Sequence, residues 1–158
     1  EVLDFFVETF NANRVEPVLL DLLDEYSSSA RLHYLVGRFY ENHGEQNQAV
    51  RRYKRAAELS PSLTEVHLAL AEIYRKRNNT AQAMRSFERV ISLEPENGAA
   101  YGSLISLYRT EGELDKLCDR WSARYRANNR NQVLREHLIE ALHKAGRYEE
   151  AREVVENN

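Results

Sequence analysis

Five histidines, one cysteine and a dense basic run are the residues of this chain whose chemistry asks to be tested first. His33, His43, His67, His137 and His143 could in principle ligate a metal. Zinc ligands come in tight local pairs, however. In "HLIEALH" the two histidines, His137 and His143, are spaced poorly for a shared helix face. His33 and His67 are separated by 34 residues, which points to one structural role used twice. Cys118 has Asp115 and Asp119 close in sequence, and acids disfavour the thiolate that a nucleophile needs. It has no second cysteine to pair with in the chain. "RRYKR" at residues 51–55 could meet nucleic acid or anionic lipid. Helical periodicity gives a simpler reading, with Tyr53 pointing inward and the cations solvated. No Gly-rich phosphate loop is present. Glu149 and Glu150 fit the first turn of a helix, where they favour its dipole. "NNT" at residues 78–80 is a glycosylation sequon, and Asn78 also has a turn role. Nothing here supports catalysis, and no metal or cofactor is expected.

The side chains must therefore be explained by the elements that carry them. The chain has 158 residues, 42% apolar and 30% charged, with a net charge of −3 and a pI near 6.0. That balance argues against nucleic acid as the main partner. No apolar run approaches the ~18 residues of a membrane span, so direct membrane insertion is not expected. With only 6 glycines and 3 prolines, long helices joined by short turns are the natural reading. The sequence starts at Glu1 and has Met84 as its only methionine, so it reads as a piece of a longer chain.

One interval organises the sequence. "AELSP" ends at Pro61 and "ISLEP" at Pro95, 34 residues apart. Gly44, Asn78, Gly112 and Gly146 fall in a column at that spacing, as do Val36, Leu70, Leu104 and Leu138. Tyr40, Tyr74, Tyr108 and Leu142 form another, with Phe6 one interval upstream. Tyr53, Phe87, Trp121 and Val155 form a fourth, and Ala49, Ala83, Leu117 and Ala151 a fifth. Coincident columns at one period mean an internal repeat. Each unit reads as two helices. His33, Val36, Gly37 and Tyr40 share a face in residues 30–43, and Ala49, Tyr53 and Ala56 share one in the helix that follows. Gly or Asn between them tolerates a left-handed helix end. Pro61 stops the second helix. Gly37, Ala71, Ala49 and Ala83 are small where two helices must approach.

These columns, carried by "HYLVGRFY" with "QAVRRYKRA" and by "HLALAEIY" with "AQAMRSFERV", resemble the tetratricopeptide repeat. The resemblance implies an all-α solenoid with a 34-residue period, a right-handed superhelix of about four units plus a partial N-terminal one. Residues 1–158 then form a single array: a partial unit over 1–29, full units over 30–63 and 64–97, a divergent unit over 98–131 and a truncated one over 132–158. In the divergent unit Ile105 and Leu117 replace small residues, Arg124 replaces an apolar one and Asn129 stands where proline would be. Its two helices are expected to sit farther apart or shifted.

The resemblance also implies that first helices line a concave groove that binds a peptide or protein segment. The expected ligand-binding residues are Tyr34, Arg38, Leu68, Glu72, Arg75, Gly102, Ser106 and Arg109. Tyr34 and Leu68 would be apolar anchors. Arg38, Arg75 and Arg109 would hold acidic or carbonyl groups. Arg31 and Lys76 add to the basic centre, against Glu41, Glu65 and Glu72. Asp4, Glu8, Glu136 and Glu140 make the groove's ends acidic. Gly102 would open space beside Leu68 and Tyr34. Pairing of these charges across the groove, Arg38 with Glu72 for example, is the alternative reading of the same residues. Chaperone-binding members of the family clamp a terminal carboxylate with lysines and asparagines. The matching places hold Tyr34, Arg38, Ala69, Ala99 and Ser103, so that clamp is expected to be absent. A non-catalytic scaffold is the leading expectation. Its rivals are self-association through an uncapped last helix, exposing Val154 and Val155, and an accessory region of a larger enzyme or envelope-assembly protein.

Overall fold

The computed structural model describes residues 12–156. Phe6, Asp4 and Glu8, named above, lie outside the described residues. All regular structure among those residues is helical, and nine helices follow in order. They are α1 (Ala12–Glu25), α2 (Ala30–Asn42), α3 (Gln46–Leu59), α4 (Thr64–Lys76), α5 (Thr80–Leu93), α6 (Gly98–Thr110), α7 (Leu114–Ala127), α8 (Gln132–Lys144) and α9 (Tyr148–Glu156). Two compact units are built from them, one through Ala83 and one from Met84.

The 34-residue columns have physical causes. Gly44, Asn78, Gly112 and Gly146 have φ of 79°, 55°, 70° and 76°. Each reverses the chain after a helix, and the next residue's N–H reaches back across the turn. Glu45, Asn79, Glu113 and Arg147 donate to the carbonyls of Tyr40, Tyr74, Tyr108 and Leu142 at 2.8–2.9 Å. That is a Schellman closure made four times at one register.

The repeated histidine also has a single role. Nε2 of His33 lies 3.0 Å from the Ser27 carbonyl, and Nε2 of His67 lies 3.0 Å from the Pro61 carbonyl. Both carbonyls sit six residues back, in the link leading into the helix. One interval on, Tyr101 takes the histidine's place, and the Pro95 carbonyl instead accepts from Asn131 Nδ2 at 3.3 Å.

In the first unit Leu19, Leu35, Val36, Phe39, Tyr53, Val66 and Ile73 are buried. A Cβ on Gly37 would lie 2.5 Å from the Tyr53 ring, so glycine alone lets α2 and α3 close together. In the second unit Phe87, Ile91, Tyr101, Leu104, Leu117, Trp121, Leu134 and Leu138 are buried. Here Ile105 and Leu117 stand where α2 and α3 carry Gly37 and Ala49, and both are fully enclosed. Bulk at these two positions rules out the close backbone approach that Gly37 and Ala49 permit between α2 and α3, and is a reason for the divergent pair to sit farther apart or shifted.

Candidate functional site

In the first unit, the side chains in question come from α2 and α4. Tyr34, Arg38 and Glu41 recur at helical spacing on α2, and all three are half-buried. Leu68 and Glu72 on α4 are half-buried as well, and Arg75 and Lys76 close its last turn. Arg31 bridges the two helices: it donates to Glu65 at 3.1 Å, and its guanidinium sits 5.2 Å from the Tyr34 ring centre. Arg75 donates to Glu72 on its own helix, at 2.6 and 3.0 Å. The basic centre expected from sequence is thus interleaved with carboxylates. Exposed pairs of this kind contribute little to stability, which leaves both partners open to exchange.

Glu41 differs. Its Oε2 accepts from the hydroxyl of Tyr53 at 2.7 Å, and its Oε1 lies 3.9 Å from Lys76 Nζ. Tyr53 comes from α3 and passes through the space that Gly37 leaves, with its ring 5.8 Å from that of Tyr34. Burial, and then the hydrogen bond to Glu41, push the Tyr53 phenol far above its usual range. It therefore stays a neutral donor. Sequence reasoning placed Glu41 among the groove charges but missed this support. The available signal was that Tyr53 alone in its column carries a hydroxyl, the later members being Phe87 and Trp121.

The second unit carries Gly102, Ser106 and Arg109 on α6. A Cβ on Gly102 would meet nothing within 4 Å. Ser106 and Arg109 are exposed, and the Ser106 carbonyl accepts from Thr110 Oγ1 at 2.9 Å. The unit is tied together elsewhere by Arg120, which donates to Glu88 at 2.6 Å and covers the Tyr108 ring at 5.2 Å. Arg147 binds Asp119 at 2.7 Å and Glu150 at 2.6 Å. Cys118 is buried beside them, and burial pushes its thiol up to about 11. Among the described residues no group of His, Cys, Asp and Glu side chains could hold a metal ion, and no helix is long and apolar enough to cross a membrane.

Family models described as tetratricopeptide repeat match residues 43–108 and residues 132–157. The chain belongs to the tetratricopeptide repeat family. Solved structures agree on the fold. MamA superposes with a TM-score of 0.59 at 19% identity, over 86% of this chain and 80% of that one. YrrB, described as a tetratricopeptide repeat protein with an unusual peptide-binding site, gives 0.60 at 17% identity, over 86% and 70%. PilF of Pseudomonas aeruginosa gives 0.57 at 16% identity, over 91% and 66%. At such identities the likeness is one of fold. No curated protein matches the chain in sequence. The repeated turns, and in the first unit the close approach of α2 and α3 at Gly37, position the candidate side chains of α2.

Proposed function

We propose that this tetratricopeptide array is a non-catalytic scaffold that holds a peptide or protein segment against the first helices of its repeats. One observation carries the reading. Tyr34 and Leu68 are half-exposed apolar side chains bordered by the charged Arg38 and Glu72 on the same two helices. Apolar anchors ringed by polar groups are how interfaces concentrate their binding energy. Arg38 and Arg75 would take carboxylate or carbonyl groups of the segment, and Arg109 with Ser106 would do so on α6. The open position above Gly102 admits a ligand backbone. YrrB, with its peptide-binding site, supports the reading by fold analogy.

The test is affinity capture with the chain beside a variant carrying Arg38→Glu, Arg75→Glu and Arg109→Glu. Circular dichroism checks that the variant keeps its helices. The segment shared by captured proteins is then made as a synthetic peptide. Binding of that peptide to the parent and not to the variant is the expected result. Equal binding to both would place recognition elsewhere.

A second reading, self-association, is favoured by Tyr148 and Val155 on α9, which are 63% and 51% exposed. An elution volume that falls as concentration rises would support it.

A further inference from the structure

We propose that the cleft between α7 and α9, the second helices of the last two repeats, is a binding site for a small zwitterion of the α-amino-acid kind. It shares no residue with the groove reading above and does not depend on it.

The cleft holds a cavity of about 210 Å³. Ser122, Tyr125 and Arg126 line it from one face of α7, with Asn129 just past that helix, and Glu150 and Glu153 line it from α9. Ser122 and Tyr125 are each only 6% exposed, yet among the described residues neither hydroxyl makes a hydrogen bond. Hydroxyls this buried normally have a partner, and lacking one costs free energy. The exposed side chains of Arg126, Asn129 and Glu153 likewise make no hydrogen bond or ion pair among the described residues. Arg126 and Glu153 thus line one cavity with opposite charges and do not pair. Glu150 is already taken. Arg147 grips it at 2.6 and 2.7 Å and holds its carboxyl below the usual range, with a longer-range contribution from the charge of Arg126.

The preceding interval shows what is missing here. Between α5 and α7, Glu88 and Arg120 occupy the registers that Ser122 and Val154 occupy between α7 and α9, 34 residues on. Arg120 donates to Glu88 at 2.6 Å and bridges the two helices. Ser122 and Val154 cannot make that bridge, and Tyr125 adds a hydroxyl where Ile91 stood. The walls are held by other means. Arg147 ties Asp119 at 2.7 Å to Glu150 at 2.6 Å, and Arg135 on α8 donates to the Val154 and Val155 carbonyls at 3.3 and 3.0 Å. A site held in this way loses little to ordering when it fills.

The donor set fixes the ligand class. A carboxylate would accept from Arg126 and from the Ser122 and Tyr125 hydroxyls, and an ammonium would donate to Glu153 and the Asn129 side-chain oxygen. A singly charged ligand would leave Arg126 or Glu153 unanswered, and a neutral polyol would leave both. The volume falls short of the ~300 Å³ at which drug-sized pockets begin. Val154 alone among the lining residues is aliphatic, which favours a short side chain on the ligand.

The experiment is calorimetric titration of the protein with glycine, serine, acetate, methylammonium and glucose, with thermal melts to show that each variant remains folded. Saturable binding of glycine or serine at millimolar concentration is the expected result, with acetate, methylammonium and glucose at least about tenfold weaker. Arg126→Gln and Glu153→Gln should each weaken the zwitterion by about tenfold or more, and Ser122→Ala by a smaller factor. Failure of both glycine and serine to bind the parent at millimolar concentration would overturn the site. So would unchanged binding to Arg126→Gln and Glu153→Gln. Acetate, methylammonium or glucose binding as well as glycine would overturn the ligand class.

Discussion

Gly37 and Tyr53 compete for one volume between α2 and α3: a Cβ on Gly37 would lie 2.5 Å from Cε1 and 2.6 Å from Cδ1 of the ring. The ring is fully buried and has nowhere to retreat. Gly37→Ala should therefore destabilise the chain by about 1–3 kcal/mol through overpacking, despite a helix-propensity gain of about 1 kcal/mol. Gly102→Ala makes the same chemical change on α6, where the new methyl meets nothing. It should stabilise by up to about 1 kcal/mol. Urea unfolding midpoints of the two variants should move in opposite directions. A rise in both would mean that propensity, not packing, governs these sites.

Gly112 and Asn78 hold equivalent left-handed turns with different residues, at φ of 70° and 55°. An L side chain in that region costs about 1–2 kcal/mol. Gly112→Ala should lower stability by that amount, whereas Asn78→Gly should raise it slightly. Melting temperatures measure both, and a neutral Gly112→Ala would show that the turn can open without penalty.

The contrast between these columns shows what the sequence discloses and what it withholds. The turn column and the paired prolines are periodic, and each demands a residue type that few backbone conformations need. The all-helical repeat and its 34-residue period could be read from them directly. The support of Glu41 by Tyr53 could not. It exists in one repeat only: Glu41 is succeeded in its column by Arg75, Arg109 and His143, and Tyr53 by Phe87 and Trp121. A periodic signal erases whatever is peculiar to one unit. Likewise the engagement of Arg75 by Glu72 is a choice of rotamer, which spacing permits but does not dictate.

His33 should make the first unit sensitive to acid. It is buried; Nε2 bonds the Ser27 carbonyl, and Nδ1 has no hydrogen-bond partner. Burial lowers its pKa below 6.5, and the charges of Arg52 and Arg55 lower it further against the raising effect of the Ser27 carbonyl. The unfolded chain then binds a proton that the folded one refuses. Stability contributed by the neutral ring is complete above about 6.5 and is lost as pH falls below it. The loss levels off beneath the folded pKa. Melts between neutral and mildly acidic pH should fall more steeply for the parent than for His33→Gln, whose amide can still donate to Ser27. Parallel slopes would assign the acid sensitivity to other groups.

Cys118 should be chemically silent in the folded chain. Its side chain has no exposure, and burial pushes the thiol up to about 11, with Asp115 and Asp119 acting in the same direction and Arg147 against it. At mildly alkaline pH the thiolate fraction is therefore far below that of an ordinary cysteine, and access is closed as well. A thiol-reactive chromogenic disulfide should label the folded protein only as fast as the second unit opens, while the urea-unfolded chain reacts at once. Substituting Arg147→Met removes the ties to Asp119 and Glu150. It should speed labelling by increasing that opening. Equal labelling rates for folded parent and variant would mean that α7 and α9 are not held together through Arg147.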